Sequence, residues 1–260
     1  MFQGLLNKFK TKKNPSGEFR IPEGRRVYAV GDIHGRADLL EKMHEIIAAD
    51  AKAHSHKDLL MVYLGDYLDR GPYVRETIDL LLTGRPRGFE SVHLMGNHEQ
   101  ILLNFLKKPD ILSMWLGVGG LSTLMSYGLK PPGSGFTAEN AHDLCDELQE
   151  KMPREHLDFI TNLRPSHQVG DCMFVHAGIR PHVAMEEQNP EDFYWIRDEF
   201  LNSEFDHGKL IIHGHTISEN IQQHSNRIGV DTGAYATGIL SCAVLEDRKV
   251  DFLSTQPSPD

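Results

Sequence analysis

At 260 residues, 40% of them hydrophobic and 25% charged, the chain has the length for one sizeable core, and nothing in its composition calls for a second domain. Its net charge of −10 at pH 7, with His neutral, argues against a general nucleic-acid binder, whose affinity would rest on Lys and Arg against phosphates. No apolar run reaches membrane-spanning length. Three widely spaced cysteines, Cys145, Cys172 and Cys242, fit a reducing cytoplasm with neither a disulfide framework nor a thiolate metal site.

Residues 1–24 read as an N-terminal tail. Phe2, Leu5, Leu6 and Phe9 can share a helical face opposite lysines, the pattern of a weak membrane-surface contact through residues 1–13. So short a helix is marginal in water, and a solvated tail before Asn14-Pro15-Ser16-Gly17 is the simpler reading. The stretch lacks the apolar length and cleavage site of a secretory signal.

A single domain is expected over 25–254, opening with a strand at Arg25–Val30. Leu39, Leu40, Met43, Ile46 and Ile47 recur at helical spacing between Arg36 and about Ala53, and the strand Leu59–Leu64 completes a βαβ unit. Gly71-Pro72 starts a helix over about Tyr73–Leu82; Ser91–Met95 is a third strand, and Glu99–Leu106 a third helix. From about 108 to 165 the strand rhythm gives way to short helices and a Pro131–Gly135 loop. This helical insertion is either a substrate-selecting cap or packing over one face of the sheet. Strands return at Cys172–Val175 and Lys209–Ile212, with Arg197 between them in an amphipathic helical stretch. Arg227–Asp231, Leu240–Glu246 and Val250–Leu253 look like a closing antiparallel set before a C-terminal tail at 255–260.

Five of these strands end alike. Gly31-Asp32-Ile33-His34-Gly35, Gly65-Asp66-Tyr67-Leu68-Asp69-Arg70-Gly71, Gly96-Asn97-His98-Glu99, His176-Ala177-Gly178 and His213-Gly214-His215-Thr216 each follow an apolar run. In an open α/β sheet the C-terminal strand ends are where ligands bind. One Gly-Asp is an ordinary turn, but five clusters in an order compatible with one sheet indicate a site. Carboxylate, amide oxygen and imidazole without thiolate suit Mn, Fe, Zn or Mg. Six or seven such ligands are too many for one ion and about right for two sharing a bridging carboxylate, an arrangement used in phosphoryl-ester hydrolysis.

These motifs, with Trp195-Ile196-Arg197 and Gly229-Val230-Asp231-Thr232-Gly233-Ala234, resemble the phosphoprotein phosphatase branch of the metallophosphoesterases, above all its small bacterial and phage serine/threonine phosphatases. The resemblance runs from about Val27 to Leu253, loosely over Lys107–Gln168. It implies an α/β metallophosphoesterase fold, a central β-sandwich flanked by helices, with the helical insertion. It also implies a bacterial, cytoplasmic enzyme with two divalent ions, Mn2+ foremost and Fe, Zn or Mg as alternatives. Asp32 and His34 would bind the first ion, Asp66 would bridge, and Asn97, His176 and His215 would bind the second. His98 would protonate the leaving group, oriented by Asp69. Arg70 and Arg197, beside Asn97, would meet the phosphate. His213 reads as structural, and Asp231–Ala234 as lining the rim through backbone turns. His54, His56, His142, His167, His182 and His224 read as surface residues.

The expected activity is hydrolysis of phosphoserine and phosphothreonine in proteins, or of small phosphoesters, with no obligate protein partner and no nucleic acid. The principal alternative is symmetrical hydrolysis of diadenosine tetraphosphate. A base-stacking pocket in the insertion, where Trp115 and Tyr127 are the available aromatics, would favour it. A catalytically silent phospho-ligand binder is a weaker reading, because every metal, acid and arginine position is filled.

Overall fold

A computed structural model describes residues 19–54, 57–130 and 138–256. In chain order these form β1 (Arg25–Val30), α1 (Ala37–Lys52), β2 (Asp58–Tyr63), α2 (Val74–Thr83), β3 (Phe89–His93) and α3 (Asn97–Lys107). Then come α4 (Leu112–Gly117), α5 (Gly120–Ser126), α6 (Ala138–Lys151), α7 (Arg154–Thr161), β4 (Ser166–Val169), β5 (Cys172–Val175), α8 (Pro190–Trp195) and α9 (Asp198–Leu201). The chain finishes with β6 (Leu210–His213), β7 (Gln222–Gln223), β8 (Arg227–Gly229), α10 (Ala234–Thr237), β9 (Ser241–Glu246) and β10 (Lys249–Ser254).

The strands form two five-stranded sheets, ordered β10-β9-β1-β2-β3 and β4-β5-β6-β8-β7. The fold is therefore an α/β sandwich with helices on its outer faces. Alternate residues of β1 and β2 divide between two cores. Val27, Ala29, Leu60 and Val62 face Phe174, Ile212 and Ile228 of the other sheet, while Tyr28, Val30, Met61 and Tyr63 face α1, α2 and α3. Burial on both faces is why these strands read as unbroken apolar runs. Met173, Val175 and Ile211 turn to the second sheet's outer face, where Phe193, Tyr194 and Phe200 cover them.

Several expectations need correction. The five site-bearing strands do not share one sheet: β1, β2 and β3 lie in the first, β5 and β6 in the second. The closing strands are not one antiparallel set either, since β8 pairs in parallel with β6 while β9 and β10 pair antiparallel beside β1. The packed domain starts before Arg25, because Phe19 and Ile21 are buried in the inter-sheet core and Ile21 N–H donates to the Asp247 carbonyl at 2.8 Å. It also extends to Thr255, whose hydroxyl accepts from Leu240 N–H at 2.9 Å. The expectations for residues 1–13, for the loop at 131–135 and for the last four residues lie outside the described residues. All three cysteines are buried and free. Among the described residues no helix is long and apolar enough to cross a membrane.

Burial also gives the fold a pH dependence. His44, His93 and His213 are pulled down to about 4, in each case chiefly by desolvation. A histidine with a depressed folded pKa contributes stability that is fully present above its unfolded value near 6.5 and is lost as the pH falls toward 4. Tm is therefore expected to decline from pH 7 to pH 5. His93 stacks on Tyr63 with centroids 4.8 Å apart and rings 2° from parallel. His93→Phe keeps that stack and removes one proton-uptake site, so it should flatten the decline by up to about 1.4 kcal/mol per pH unit, read by thermal unfolding across the range. An unchanged slope would remove His93 from this account.

Candidate active site

The site forms where the C-terminal ends of β1, β2 and β3 meet those of β5 and β6. Glycines make the approach close. A Cβ on Gly214 would lie 2.0 Å from Asp32 Oδ1, and one on Gly96 would lie 2.1 Å from Asp66 Oδ1, so any side chain at either position would displace a carboxylate. Among the described non-glycine residues, seven have positive φ, and five of them are His34, Asp66, Asp69, Arg70 and His215. Left-handed backbone costs free energy at such residues, and its concentration here marks a functional site held in shape by its surroundings.

Asp66 is the centre. Its Oδ1 lies 3.4 Å from His176 Nε2, and its Oδ2 lies 3.4 Å from His34 Nε2 and 3.8 Å from His98 Nε2. His176 Nε2 also lies 3.0 Å from Asn97 Oδ1 and 3.1 Å from His215 Nδ1. Asp32 receives His215 N–H on both oxygens, at 3.1 and 3.0 Å. Asp32, His34, Asp66, Asn97, His176 and His215 are all buried.

The tautomers show what these atoms face. His34 Nδ1 meets the Leu68 carbonyl at 2.7 Å and His176 Nδ1 meets the Leu64 carbonyl at 2.9 Å. A carbonyl only accepts, so both Nδ1 atoms carry hydrogen, and in the neutral rings both Nε2 lone pairs point inward at Asp66 and Asn97 oxygens. Acceptors aimed at acceptors are repulsive unless a metal ion or a proton lies between them. The donor set therefore fits divalent metal, with one group at His34 and Asp66 and a second at Asp66, His176 and His215. His98 Nε2 falls within reach of the first group as well.

Electrostatics in the protein alone agree. Burial, then the charges of Asp231 and Asp66, push the Asp32 carboxyl well above the carboxylate range. Burial pulls His34 down to about 3 and His215 to about 2, keeping both imidazoles neutral and able to coordinate. For His176 the carboxylates of Asp66 and Glu99 outweigh desolvation, so the net shift is upward. For Asp66 the three surrounding histidines outweigh desolvation and hold it well below the usual range.

Behind this floor, His98 Nδ1 meets Asp69 Oδ2 at 2.6 Å, and both residues are buried. Asp69 accepts from Trp115 Nε1 at 3.1 Å and from Thr123 Oγ1 at 2.5 Å, so α4 and α5 of the helical insertion hold it in place. Arg70 NH2 lies 3.1 Å from His98 Nε2, and its guanidinium sits 4.7 Å above the Tyr235 ring. Arg197 is exposed at the break between α8 and α9 rather than within one helix. It donates to Thr216 Oγ1 at 3.3 Å and its charge reaches His215. His213 faces away from the cluster, bonded to the Gly214 carbonyl and packed edge-on against Phe200.

Sequence reasoning gave no role to Glu99 and assigned Asp231 only a backbone one. Glu99 Oε1 accepts from Tyr67 and Leu68 N–H, while Oε2 accepts from Asp66 and Gly96 N–H, at 2.8 to 3.2 Å. It holds together the two turns that carry Asp66 and Asn97. Its place three residues after Gly96, at the start of a helix, was the available signal. Glu99→Gln would set an amide NH2 against two N–H donors. We expect a cost of about 2 kcal/mol and a Tm lower by roughly 5 °C. Metal affinity should fall with it; a variant matching the parent in both calorimetry and metal titration would refute this role. Asp231 is buried, accepts from Gly233 N–H at 2.8 Å, and brings a further carboxylate to act on Asp32.

A sandwich with two cation-fitting donor groups sharing one carboxylate at its strand ends has the makings of a metal-dependent hydrolase. The chain belongs to the calcineurin-like phosphoesterase family, whose model matches residues 25–240. It is thus a hydrolase of phosphate esters in a family that uses divalent metals. Serine/threonine-protein phosphatase 2 of Escherichia coli (strain K12) is 27% identical over 224 residues, covering 84% of this chain and 91% of that protein. The symmetrical bis(5'-nucleosyl)-tetraphosphatase of Dechloromonas aromatica is 23% identical, covering 89% and 96%. Among solved structures, the cold-active protein-tyrosine phosphatase of a psychrophilic Shewanella species superposes with a TM-score of 0.56 at 20% identity, covering 97% of this chain and 87% of its own. That likeness supports the fold alone.

Proposed function

We propose that this protein is a two-metal phosphomonoesterase acting on phosphoserine and phosphothreonine in proteins. The observation that carries the reading is Asp66 offering one oxygen to each of two donor groups directly beside the buried His98–Asp69 pair. Asp32, His34 and Asp66 would hold one divalent ion and Asp66, Asn97, His176 and His215 the other, with Mn2+ the expected metal. Bound there, the ions supply positive charge against the phosphoryl oxygens and acidify the attacking water.

The chain's own residues do the rest. Arg70 and Arg197 bind non-bridging phosphate oxygens, for which Arg70 leaves His98 Nε2. That nitrogen then carries the proton delivered to the departing serine or threonine oxygen. Asp69 holds Nδ1–H in place and supports the imidazolium charge, and together with Asp66 it outweighs desolvation to move His98 upward.

Hydrolysis of diadenosine tetraphosphate is the second reading, supported by the length of the match to the Dechloromonas relative. Against it, Trp115 and Tyr127 are buried and bonded to Asp69 and His156, so neither is free to stack on a base. Steady-state kinetics with Mn2+, comparing a phosphoserine peptide and diadenosine tetraphosphate, separates the two. A higher kcat/KM for the peptide is expected, and preference for the dinucleotide would overturn the proposal.

A further inference from the structure

The two sheets leave an open side where β3 and β4 each present an unpaired edge, joined beyond the strands by one bridge between Leu94 and Arg164. Between those edges lies a cleft of about 670 Å3, whose lining includes Arg25, Arg85, Arg164 and His167 with Phe89 and Val92. Its volume falls within the usual range for small-molecule sites. Its Arg25 end is remote from the phosphoester centre: Arg25 opens β1 and Asp32 follows its end, and a strand advances about 3.3 Å per residue, so these two lie on the order of 20 Å apart.

The charge of the cleft runs against that of the chain. The protein carries net −10, yet three guanidiniums line this space and Glu90 is the lone carboxylate among the lining residues. Glu90 pairs with Arg25 NH2 from the solvent side, while Arg25 Nε is buried without a hydrogen-bond partner. Among the described residues, the Arg85 side chain bonds the Ser91 hydroxyl, at 2.9 Å. Arg164 contributes its backbone to the β3 edge through His93 and Met95. Positive potential is felt locally: after burial, Arg164 and Arg25 are what pull His167 below its usual value. Such guanidiniums supply paired donors for phosphate oxygens, and exposed Pro22, with the small accessible edges of Phe89 and Val92, supplies apolar surface for an organic body.

We propose that this cleft is a second ligand site, separate from the phosphoester centre, that takes a nucleotide-sized organic phosphate. Calorimetry tests it with ADP as the probe, on the Mn2+-supplemented enzyme, with orthovanadate saturating the phosphoester centre. ADP should bind under that block, and Arg85→Ala and Arg164→Ala should each weaken it at least tenfold. Their turnover of p-nitrophenyl phosphate without ADP should stay within twofold of the parent, which also reports that they fold. Pyrophosphate should bind at least tenfold more weakly than ADP. Loss of ADP binding under vanadate, affinity indifferent to both arginine variants, or pyrophosphate binding as tightly as ADP would each overturn the proposal.

Discussion

Asp66→Asn is expected to lower kcat/KM by about three orders of magnitude while the protein stays folded. The fold should survive because Asn tolerates the left-handed conformation that Asp66 adopts at φ 52°, and its amide oxygen can still accept His98 N–H, now at 3.1 Å. The site should not survive. Asn offers one oxygen where Asp66 offers two; with that oxygen kept at the Oδ1 position to accept His98 N–H, its NH2 points at His34 Nε2. Protein hydrogen bonding then replaces a metal ligand, and the one charge that both donor groups share is gone. Charge stabilisation by metals supplies several kcal/mol of barrier lowering, and 1.36 kcal/mol is a factor of ten, hence the expected size. Metal analysis after gel filtration should find one ion or none, with Tm within a few degrees of the parent. Two ions bound at parental affinity, with parental turnover, would show that Asp66 does not bridge.

What could be read from the sequence follows from how locally each feature is determined. The strands β1, β2, β5 and β6 are visible because burial on both faces demands near-continuous apolar residues, and the glycines after them are required because backbone, a ring or a carboxylate packs where a Cβ would stand. Which sheet each strand joins is a long-range matter of packing, so a single sheet and a closing antiparallel set are natural readings that the tertiary contacts overrule. Strand β4, Ser166-His167-Gln168-Val169, is invisible because an edge strand facing a cleft needs no apolar alternation. The site's acceptors could be recognised by residue type, but the residues that hold Asp69 could not. Trp115 and Thr123 lie 46 and 54 positions from the Asp69 they hold, and no local pattern ties an insertion helix to that carboxylate. Their contact assigns the insertion a purpose that neither a cap nor simple covering describes: α4 and α5 anchor the partner of His98.

His98→Asn should leave both metals in place and still lose about 10^2 to 10^4 in kcat, the usual contribution of a positioned general acid. The loss should depend on the leaving group. A serine or threonine alkoxide needs a proton as it departs, whereas p-nitrophenolate leaves without one, so the defect on a phosphoserine peptide should far exceed that on p-nitrophenyl phosphate. This split separates proton donation from a ligand role, which the proximity of His98 Nε2 to His34 and Asp66 leaves as the competing assignment. A lost ligand would reduce metal content and slow both substrates alike. Trp115→Phe removes one donor to Asp69 while keeping an aromatic ring against Phe105, whose centroid lies 4.7 Å away. It should reproduce a smaller version of the same leaving-group dependence, because a looser Asp69 orients the imidazole less well without touching the metals. Full activity of His98→Asn on the phosphoserine peptide would rule out the acid role, and equal losses on both esters with metal missing would make His98 a ligand instead.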